Sequence, residues 1–442
     1  MLRHSGPDHG GIRSSATSDP LADSIILVFD EDRVRTDMIP GQPEKRRLCS
    51  ASRGIAGIVV TLACACGTGL SAQATTHTLL PVWTSTGAAN DIEVSTVVVP
   101  IGGARVLVWQ PQAGEFLRLD GAGRIVGRVG RRGAGPGEFR AVTLAGLTAD
   151  SLLFASDPVL RRTSLLTSDG RPVSTIGWPP AATRDGEGLA MVLGVQPLAI
   201  LSGGEWMTVL TPSPRADLPK WWPGTDAAEA LVIVKPDGTV ERLLAALPDR
   251  DPPGCRVTYI AARTGPGSLA TPWCQRPQRH ISAPSARFAL VVPAVEGREP
   301  GKLTVLVLDS TGRRLLDREI ALRLTRATNA QRAEVRASLL TPGGPFGIQP
   351  EQRKAVEALQ IPDVFPLVDR LCLGADGTIW LRRGGWGDVR EWLVLDPAGN
   401  PFATFQLPAT STILNADRRG AWGFEVGEDD APRFVRWRLQ GR

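Results

Sequence analysis

Short apolar runs alternate with polar turns along most of the chain. One pattern recurs five times, in which an apolar run enters a polar turn that ends in glycine: FLRLDGAG (116–123), SLLTSDG (164–170), LVIVKPDG (231–238), VLVLDSTG (305–312) and WLVLDPAG (392–399). Runs of this length between turn signals are typical of β-strands. Glycine tolerates the positive φ that a tight hairpin requires. The pattern therefore predicts repeated β-hairpins.

The hairpins recur at a spacing that indicates a repeat architecture. The first two turns, at Gly123 and Gly170, are 47 residues apart. Four short strands in every 40–50 residues or so are typical of propeller blades. We assign six blades, to residues 91–130, 139–178, 190–247, 255–322, 364–408 and 410–440. The chain is therefore predicted to be an all-β, six-bladed β-propeller with four-stranded antiparallel blades.

Blade six contains only three strand patterns, whereas THTLLPVW (76–83) is a strand pattern with no partner of its own. Pairing this N-terminal strand with blade six would remove two open sheet edges. We expect that pairing to close the ring.

One region departs from the strand pattern. Residues 328–341 and 350–360 have helical composition, and Pro350 suits a first helical turn. We predict a small helical insertion at about 325–362, between blades four and five. A structural flap over one end of the ring is favoured over a mobile lid.

Residues 129–177 resemble an NHL-type propeller repeat. The resemblance is carried by Gly135, Gly137 and Phe139 of a glycine-rich linker, Asp157 at a strand end, Arg161 or Arg162, and the Asp169-Gly170 turn. With the export signal described next, the chain resembles the uncharacterised exported six-bladed propellers of bacteria. The resemblance implies that Asp157 and Asp169 accept hydrogen bonds from turn amides, and that one arginine reaches a carboxylate of a neighbouring blade.

Residues 45–74 have the order of a secretory signal: a basic start, an uncharged apolar stretch, and small residues at Ala72 and Ala74. We predict a signal peptide at 38–74 that starts at Met38, cleavage after Ala74, and a periplasmic or secreted propeller at 75–442. Residues 1–37 are then a non-native extension. A short membrane anchor and a lipoprotein with Cys64 or Cys66 as the modified residue are the alternatives, and cleavage would leave no stable membrane span.

Three cysteines remain in the mature chain: Cys255, Cys274 and Cys372. Export brings them to an oxidising compartment. Cys255 and Cys274 flank a loop rich in glycine, proline and threonine, so they are predicted to form a disulfide. Cys372 lies in an apolar strand pattern and is expected to be a buried small hydrophobe.

The charge pattern disfavours nucleic acid as a partner. The formal charge is +5, and 50 residues are basic, of which five are lysines. A nucleic-acid-binding protein concentrates basic residues on one face or in one run. Here they are scattered singly and in pairs.

Metal and catalytic motifs are scarce. The four histidines are His4, His9, His77 and His280, and cleavage after Ala74 removes the first two. A zinc site built from several imidazoles is therefore disfavoured. We expect no resident cofactor, with calcium on carboxylates or carbonyls of the central channel as the alternative.

Several tryptophans lie in predicted loops with basic residues nearby. Anchoring of the long loops by these tryptophans is the favoured interpretation, since long loops usually need such hydrophobic residues. The alternative is a flat binding surface, and its candidate residues are Trp221, Trp222, Trp273, Arg279, His280, Arg382 and Trp386.

We therefore expect a binding or scaffold module for a protein, peptide or glycan of the cell envelope, and more readily a non-enzyme than an enzyme. The alternative is a calcium-dependent, lactonase-like propeller hydrolase or lyase with its site at the central channel. No residue can be assigned to that chemistry from the sequence.

Overall fold

The computed structural model describes residues 75–76, 78–84, 92–191, 194–212, 217–224, 227–261, 265–294, 299–341, 348–426 and 432–440. The predicted extension (1–37), the signal peptide (38–74) and His77 lie outside the described residues. Six four-stranded antiparallel sheets follow one another along the chain, each with its first strand on the inside. The protein is a six-bladed β-propeller, as predicted.

Two N-terminal strands precede the first blade: β1 (Thr75–Thr76) and β2 (Thr78–Thr84). Blade one contains β3 (Val98–Pro100), β4 (Val106–Gln110), β5 (Glu115–Leu119) and β6 (Ile125–Val129). A short parallel pair follows, β7 (Arg131–Arg132) and β8 (Glu138–Phe139). Blade two contains β9 (Leu144–Leu147), β10 (Leu153–Asp157), β11 (Arg162–Leu166) and β12 (Pro172–Gly177).

A hairpin follows blade two, made of β13 (Ala181–Arg184) and β14 (Glu187–Ala190). Blade three contains β15 (Ala199–Ile200), β16 (Trp206–Leu210), β17 (Glu229–Val234) and β18 (Val240–Leu247). The next hairpin is made of β19 (Arg256–Ala261) and β20 (Gly265–Ala270). Blade four contains β21 (Gln278–Ser282), β22 (Arg287–Ala294), β23 (Gly301–Leu308) and β24 (Arg314–Leu322).

The two predicted helices follow blade four, as α1 (Asn329–Ser338) and α2 (Pro350–Ala358). Thr328 and Gln331 form a capping box at the start of α1, and Pro350 opens α2. Blade five contains β25 (Arg370–Leu373), β26 (Ile379–Arg382), β27 (Val389–Leu395) and β28 (Pro401–Pro408). Blade six contains β29 (Thr412–Asp417), β30 (Gly420–Val426) and β31 (Pro432–Gln440). No helix of the described residues is long and apolar enough to cross a bilayer.

The N-terminal strand closes the ring, as predicted. Strand β2 pairs antiparallel with β31 and so supplies the outer strand of blade six. Strand β1 was not expected as a separate element, and it pairs parallel with β28 at the outer edge of blade five. Strands β1 and β2 therefore join the edges of blades five and six.

The hydrophobic core lies between neighbouring blades. One cluster joins Trp109 and Phe116 of blade one to Leu153 of blade two, and others span each further junction around the ring. Strands β4, β10 and β17 are buried along their whole length, because other blades cover both of their faces. Their sequences are accordingly rich in apolar residues, although they also contain Gln110, Asp157 and Glu229. The outer strand β12 is mostly exposed.

The predicted glycine turns are confirmed, and one blade boundary is wrong. Gly123, Gly170 and Gly312 all have positive φ (80°, 94° and 84°) in the turns after third strands. Residues 256–270 were assigned to blade four, but they form the separate β19–β20 hairpin, so blade four begins at Gln278. A strand of a separate hairpin and an inner blade strand have the same local sequence pattern. Only their pairing partners in the fold distinguish the two.

The repeat residues of blade two hold the backbone. Asp157 accepts hydrogen bonds from the amides of Arg140 and Leu160, at 2.7 and 3.1 Å. The guanidinium of Arg162 donates to the carbonyls of Ala134, Gly135 and Glu138 in the linker rather than to a carboxylate. The same role for Arg161 stays a prediction. Asp169 binds side chains, since Thr167 Oγ1 and Arg171 donate to it.

Candidate functional site

The two ends of the ring receive different connections. The first-to-second and third-to-fourth strand connections of each blade end at one face, which we call the turn face. The second-to-third connections and the links between blades end at the opposite face, which we call the loop face. Both hairpins, the β7–β8 pair and both helices lie in links between blades, and so belong to the loop face.

The disulfide confirms one sequence prediction and shapes the loop face. Cys255 and Cys274 are bonded, with a Cα–Cα distance of 5.4 Å. Next to them, Asp251 accepts from Arg256 at 2.5 Å and from Arg276 at 2.8 Å. Burial alone would raise the pKa of Asp251, but these hydrogen bonds hold it below its usual value. The carboxylate therefore stays charged and fixes the loop that carries Trp273.

An aromatic cluster lies beside this loop. The ring of Trp273 is 4.7 Å from that of Phe365 and 5.8 Å from that of Trp386, both at steep angles. Gln275 binds the neighbouring segment through both amide atoms, donating to the Phe365 carbonyl and accepting from the Leu367 amide. Trp386 is 39 % exposed. Two of the predicted tryptophans are thus brought together, and one presents its ring to solvent.

The sequence did not identify Phe365 as part of this group. It lies between Pro362 and Pro366 in a segment without helical or strand periodicity. A large aromatic residue between two prolines in a long link is the signal that could have identified it.

The predicted basic residues serve mainly as internal ion pairs. Arg382 donates to Asp369 at 2.7 Å and is only 12 % exposed. Arg279, 9 % exposed, forms a buried pair with Glu229 and donates to the Pro248 carbonyl. Burial lowers the pKa of Arg279 to about 10. We correct their assignment to an open surface, because a buried pair must stay together to avoid leaving an uncompensated charge.

The tryptophan pair of blade three also differs from the predicted surface. Trp222 is 7 % exposed, packs in the core, and donates through Nε1 to the Ala227 carbonyl at 3.1 Å. Trp221 is partly buried and donates to the Glu187 carbonyl at 3.2 Å. Both therefore anchor the long second-to-third connection of their blade, which corresponds to the interpretation favoured from the sequence.

His280 lies in the central channel. The channel contains a cavity of about 210 Å³ lined by inner-strand residues of blades one, two, four, five and six. The Leu373 amide donates to Nδ1 of His280 at 3.1 Å. Burial lowers the pKa of His280 to about 4. The ring is therefore neutral at pH 7, and its proton is assigned to Nε2 because Nδ1 accepts a hydrogen bond.

No described residue of blade three lines the cavity. A short 3₁₀ helix of blade four, Ala283–Ser285, lies there instead. This helix contacts both β9 and the two-residue strand β15. Gly146 makes the approach possible, because a Cβ there would lie 2.6 Å from the Cβ of Ala283. One wall of the channel is therefore made by a connection rather than by an inner strand.

Metal-binding and thiol chemistry have little support in the described residues. Within them, no group of three or more His, Cys, Asp or Glu side chains is placed to hold a metal ion. Cys372 is a buried free thiol, as expected, and burial raises its pKa to about 12. A thiol with so high a pKa is a poor nucleophile at neutral pH.

Comparisons with known proteins find similarity only among solved structures. No family model matches the chain, and no curated protein matches it by sequence. The chain is similar to a member of the DUF4221 family from Bacteroides vulgatus, with 10 % identity over 76 % of this chain and 90 % of that one and a TM-score of 0.40. The NHL-type resemblance remains a prediction from the repeat motif.

Two further structures are similar over most of their length. A Bacteroides fragilis protein described as exported has 8 % identity, with 83 % of this chain and 95 % of that one covered and a TM-score of 0.41. A gluconolactonase from Xanthomonas campestris has 12 % identity, with 76 % and 82 % covered and a TM-score of 0.33.

Proposed function

We propose that this protein is an exported binding or scaffold propeller that binds a polypeptide of the cell envelope through its loop face. One observation carries the proposal, namely where large hydrophobic side chains are exposed. Ten such side chains are exposed among the residues that the structure describes, and six of them lie on the loop face: Val94, Val159, Leu218, Ile260, Trp386 and Val389. The other four lie on outer strands, at Leu80, Val82, Val126 and Val173. Among the described residues, the turn face contributes none.

The chemistry of these side chains favours a polypeptide over a glycan. Five of the six are aliphatic, and Ile260 at 76 % is the most exposed of them. Glycans bind to flat aromatic rings through their C–H faces, whereas aliphatic side chains pack against the apolar side chains of a protein or peptide. Trp386 is the aromatic anchor within this set, since interface energies concentrate at such residues.

The described loop-face segment around Trp273 is held in one shape, which favours recognition. The disulfide and the Asp251 ion pairs fix the segment that carries Trp273. Helix α2 packs against the β19–β20 hairpin, whose end carries Ile260. A surface that is already ordered loses little conformational entropy when it binds.

The export part of the proposal has two supports. The sequence predicts a signal peptide that ends at Ala74. The bonded pair Cys255–Cys274 suits an oxidising compartment such as the periplasm or the exterior. Mass spectrometry of the protein from the cell envelope tests this part directly, because a mature N-terminus at Thr75 is expected and an intact residue 45–74 segment would contradict it.

The test of binding compares two valines of equal exposure. Val389 on the loop face is 51 % exposed and Val173 on outer strand β12 is 52 % exposed. Val389→Ser and Trp386→Ala should each reduce capture of partners from a cell-envelope extract by about tenfold, the effect of one interface residue. Val173→Ser should capture as the parent protein does. Equal capture by all variants would exclude the loop face.

Two treatments identify the class of partner. Protease digestion of the extract should abolish capture, whereas glycosidase digestion should leave it intact. The reverse result would replace the polypeptide with a glycan. Elemental analysis and melting with calcium or chelator address the calcium-dependent alternative, which requires bound calcium and a calcium-dependent melting temperature.

A further inference from the structure

The cavity in the channel is separate from the exposed hydrophobic residues of the loop face. It extends from Thr96 and Thr143, just before the inner strands of blades one and two, to Asp417 at the turn-face end. Its volume of about 210 Å³ is below the roughly 300–1,000 Å³ of sites for drug-sized ligands. The cavity therefore suits one ring-sized molecule and excludes a folded segment.

Four side chains that line the cavity have unused hydrogen-bonding capacity. They are Thr96, Thr143, His280 through Nε2, and Asn415, to which the described residues supply no partner at these groups. Asn415 lies at a register shift between β29 and β30. Such bulges redirect a side chain next to a functional site.

The remaining wall is aliphatic and nearly uncharged. Leu144, Ile281 and Leu414 line the cavity between the polar groups. Among the described lining residues, Asp417 is the one ionisable carboxylate, and the amides of Arg419 and Gly420 already donate to it. Among the described residues, no lysine or arginine lines the cavity. A bound anion would therefore lack a cationic partner, which is costly.

We infer that the channel binds a small uncharged ring-sized molecule that carries hydroxyl or carbonyl groups, with His280 and Asn415 as its principal hydrogen-bonding partners. His280 donates from Nε2 to an oxygen of this molecule. Asn415 both donates and accepts through its amide, and the threonine hydroxyls supply further partners. The aliphatic wall contacts the C–H faces of the ring.

His280 suits this role because its protonation state is fixed. The Leu373 amide holds Nδ1, so the ring presents a donor to the cavity. Its lowered pKa keeps the ring neutral across the neutral pH range. An uncharged donor selects an uncharged oxygen without attracting anions.

The experiment uses two pyranose rings that differ in charge: glucose and glucuronate. Each is titrated into the purified protein while the Cε1–H resonance of His280, assigned by its loss in His280→Asn, is followed by NMR. Glucose should shift this resonance saturably. Glucuronate should bind at least about tenfold more weakly, because no cationic side chain among the described lining residues can compensate its charge.

Variants test the assigned partners. Asn415→Leu and Thr143→Val should each weaken glucose binding by about fivefold or more, the effect of one lost hydrogen bond. Thr143→Val keeps the side-chain volume at an exposed position, so it reports on binding even where Asn415→Leu disturbs the fold. Asn329→Leu, at the start of α1 outside the cavity, is the matched control and should bind as the parent protein does.

Three results would overturn the inference. The first is the absence of any saturable shift of the His280 resonance with glucose. The second is equal binding of glucose by the parent protein, Asn415→Leu and Thr143→Val. The third is equal binding of glucose and glucuronate by the parent protein.

Discussion

The loop face and the turn face are built by the same blade repeat, yet the contacts that stabilise them differ in their separation along the sequence. Many turn-face hydrogen bonds join residues of the same turn, although the Ser310 carbonyl also accepts from Arg242 of blade three at 3.1 Å. At the turn face, Asp309 accepts from the amides of Thr311 and Arg313, at 2.9 and 3.1 Å. At the loop face, contacts join residues far apart in the chain, such as Gln275 with Phe365 and Leu367.

This difference separates turns that are stabilised mainly by local contacts from segments that depend on distant residues. A turn whose amides bind its own aspartate is stabilised largely within the turn. The loop-face segments are longer and are held by a disulfide, ion pairs and an aromatic cluster. Binding residues on a rigid scaffold are commonly found in such segments.

The largest expected effect comes from removing the loop-face disulfide. Cys255→Ser with Cys274→Ser should lower the free energy of unfolding by about 3 kcal/mol, because the bond closes a loop with a sequence separation of 19 residues. Denaturation in urea measures this loss. Reducing agent should shift the parent protein to the value of the variant and leave the variant unchanged. A variant that is still sensitive to reductant would contradict the assignment of the bond.

Protonation of His280 should make the free energy of unfolding depend on pH in a range set by this residue. Burial lowers the pKa of His280 from 6.5 to about 4, so protons bind the unfolded chain more strongly. Stability should be full above about pH 6.5 and should fall by up to about 3 kcal/mol as the pH drops to about 4. His280→Asn keeps an acceptor for the Leu373 amide and should remove this loss.

The turn face should lose stability in a lower pH window. Burial raises the pKa of Asp309, but hydrogen bonds from Thr311 and Arg313 outweigh it and hold the pKa below 3.8. That contribution should be present above about pH 3.8 and lost only as the pH falls further. Equal pH profiles for His280→Asn and the parent protein between pH 4 and 6.5 would exclude the histidine as the cause.

The third effect compares Gly146, which packs against the 3₁₀ helix in the channel wall, with Gly204 in an open turn. Gly146→Ala should cost about 2 kcal/mol, because its Cβ would meet Ala283 at 2.6 Å and Phe154 at 2.9 Å. Gly204→Ala, in a turn with φ of 80° and open space, should cost only the backbone strain of about 1 kcal/mol. Thermal melting of both variants measures the difference in stability. Equal losses of stability would show that the 3₁₀ helix moves away from position 146 at little energetic cost.

The smallest effect compares one residue from each face. Asp309→Ala should lower stability by about 1 kcal/mol, since two turn amides lose their acceptor. Val389→Ser, half-exposed on the loop face, should change stability by less than about 0.5 kcal/mol while it reduces partner binding. A large stability loss in Val389→Ser would make it a structural residue and remove it from the binding surface.

Local patterns were sufficient for much of the ring. The five glycine turns, the two helices and the closing strand depend on residue order and on the need to cover sheet edges, so they could be predicted. The β19–β20 hairpin could not be distinguished from an inner strand, because both have the same alternation. Trp222 and Arg279 were assigned to a surface for a similar reason, since burial depends on residues such as Ala227 and Glu229 that are brought to them by the fold.

The order of apolar runs and glycine turns determined the six-bladed ring, since each blade can bury its faces only against the next. The same order predicted the Cys255–Cys274 bond, because both cysteines flank one loop. Only the tertiary structure decided which face exposes hydrophobic side chains and which side chains enter the channel. Those properties depend on contacts between segments that are distant in sequence, such as Trp273 with Trp386 and Ala283 of blade four with Gly146. Local residue spacing does not determine such contacts.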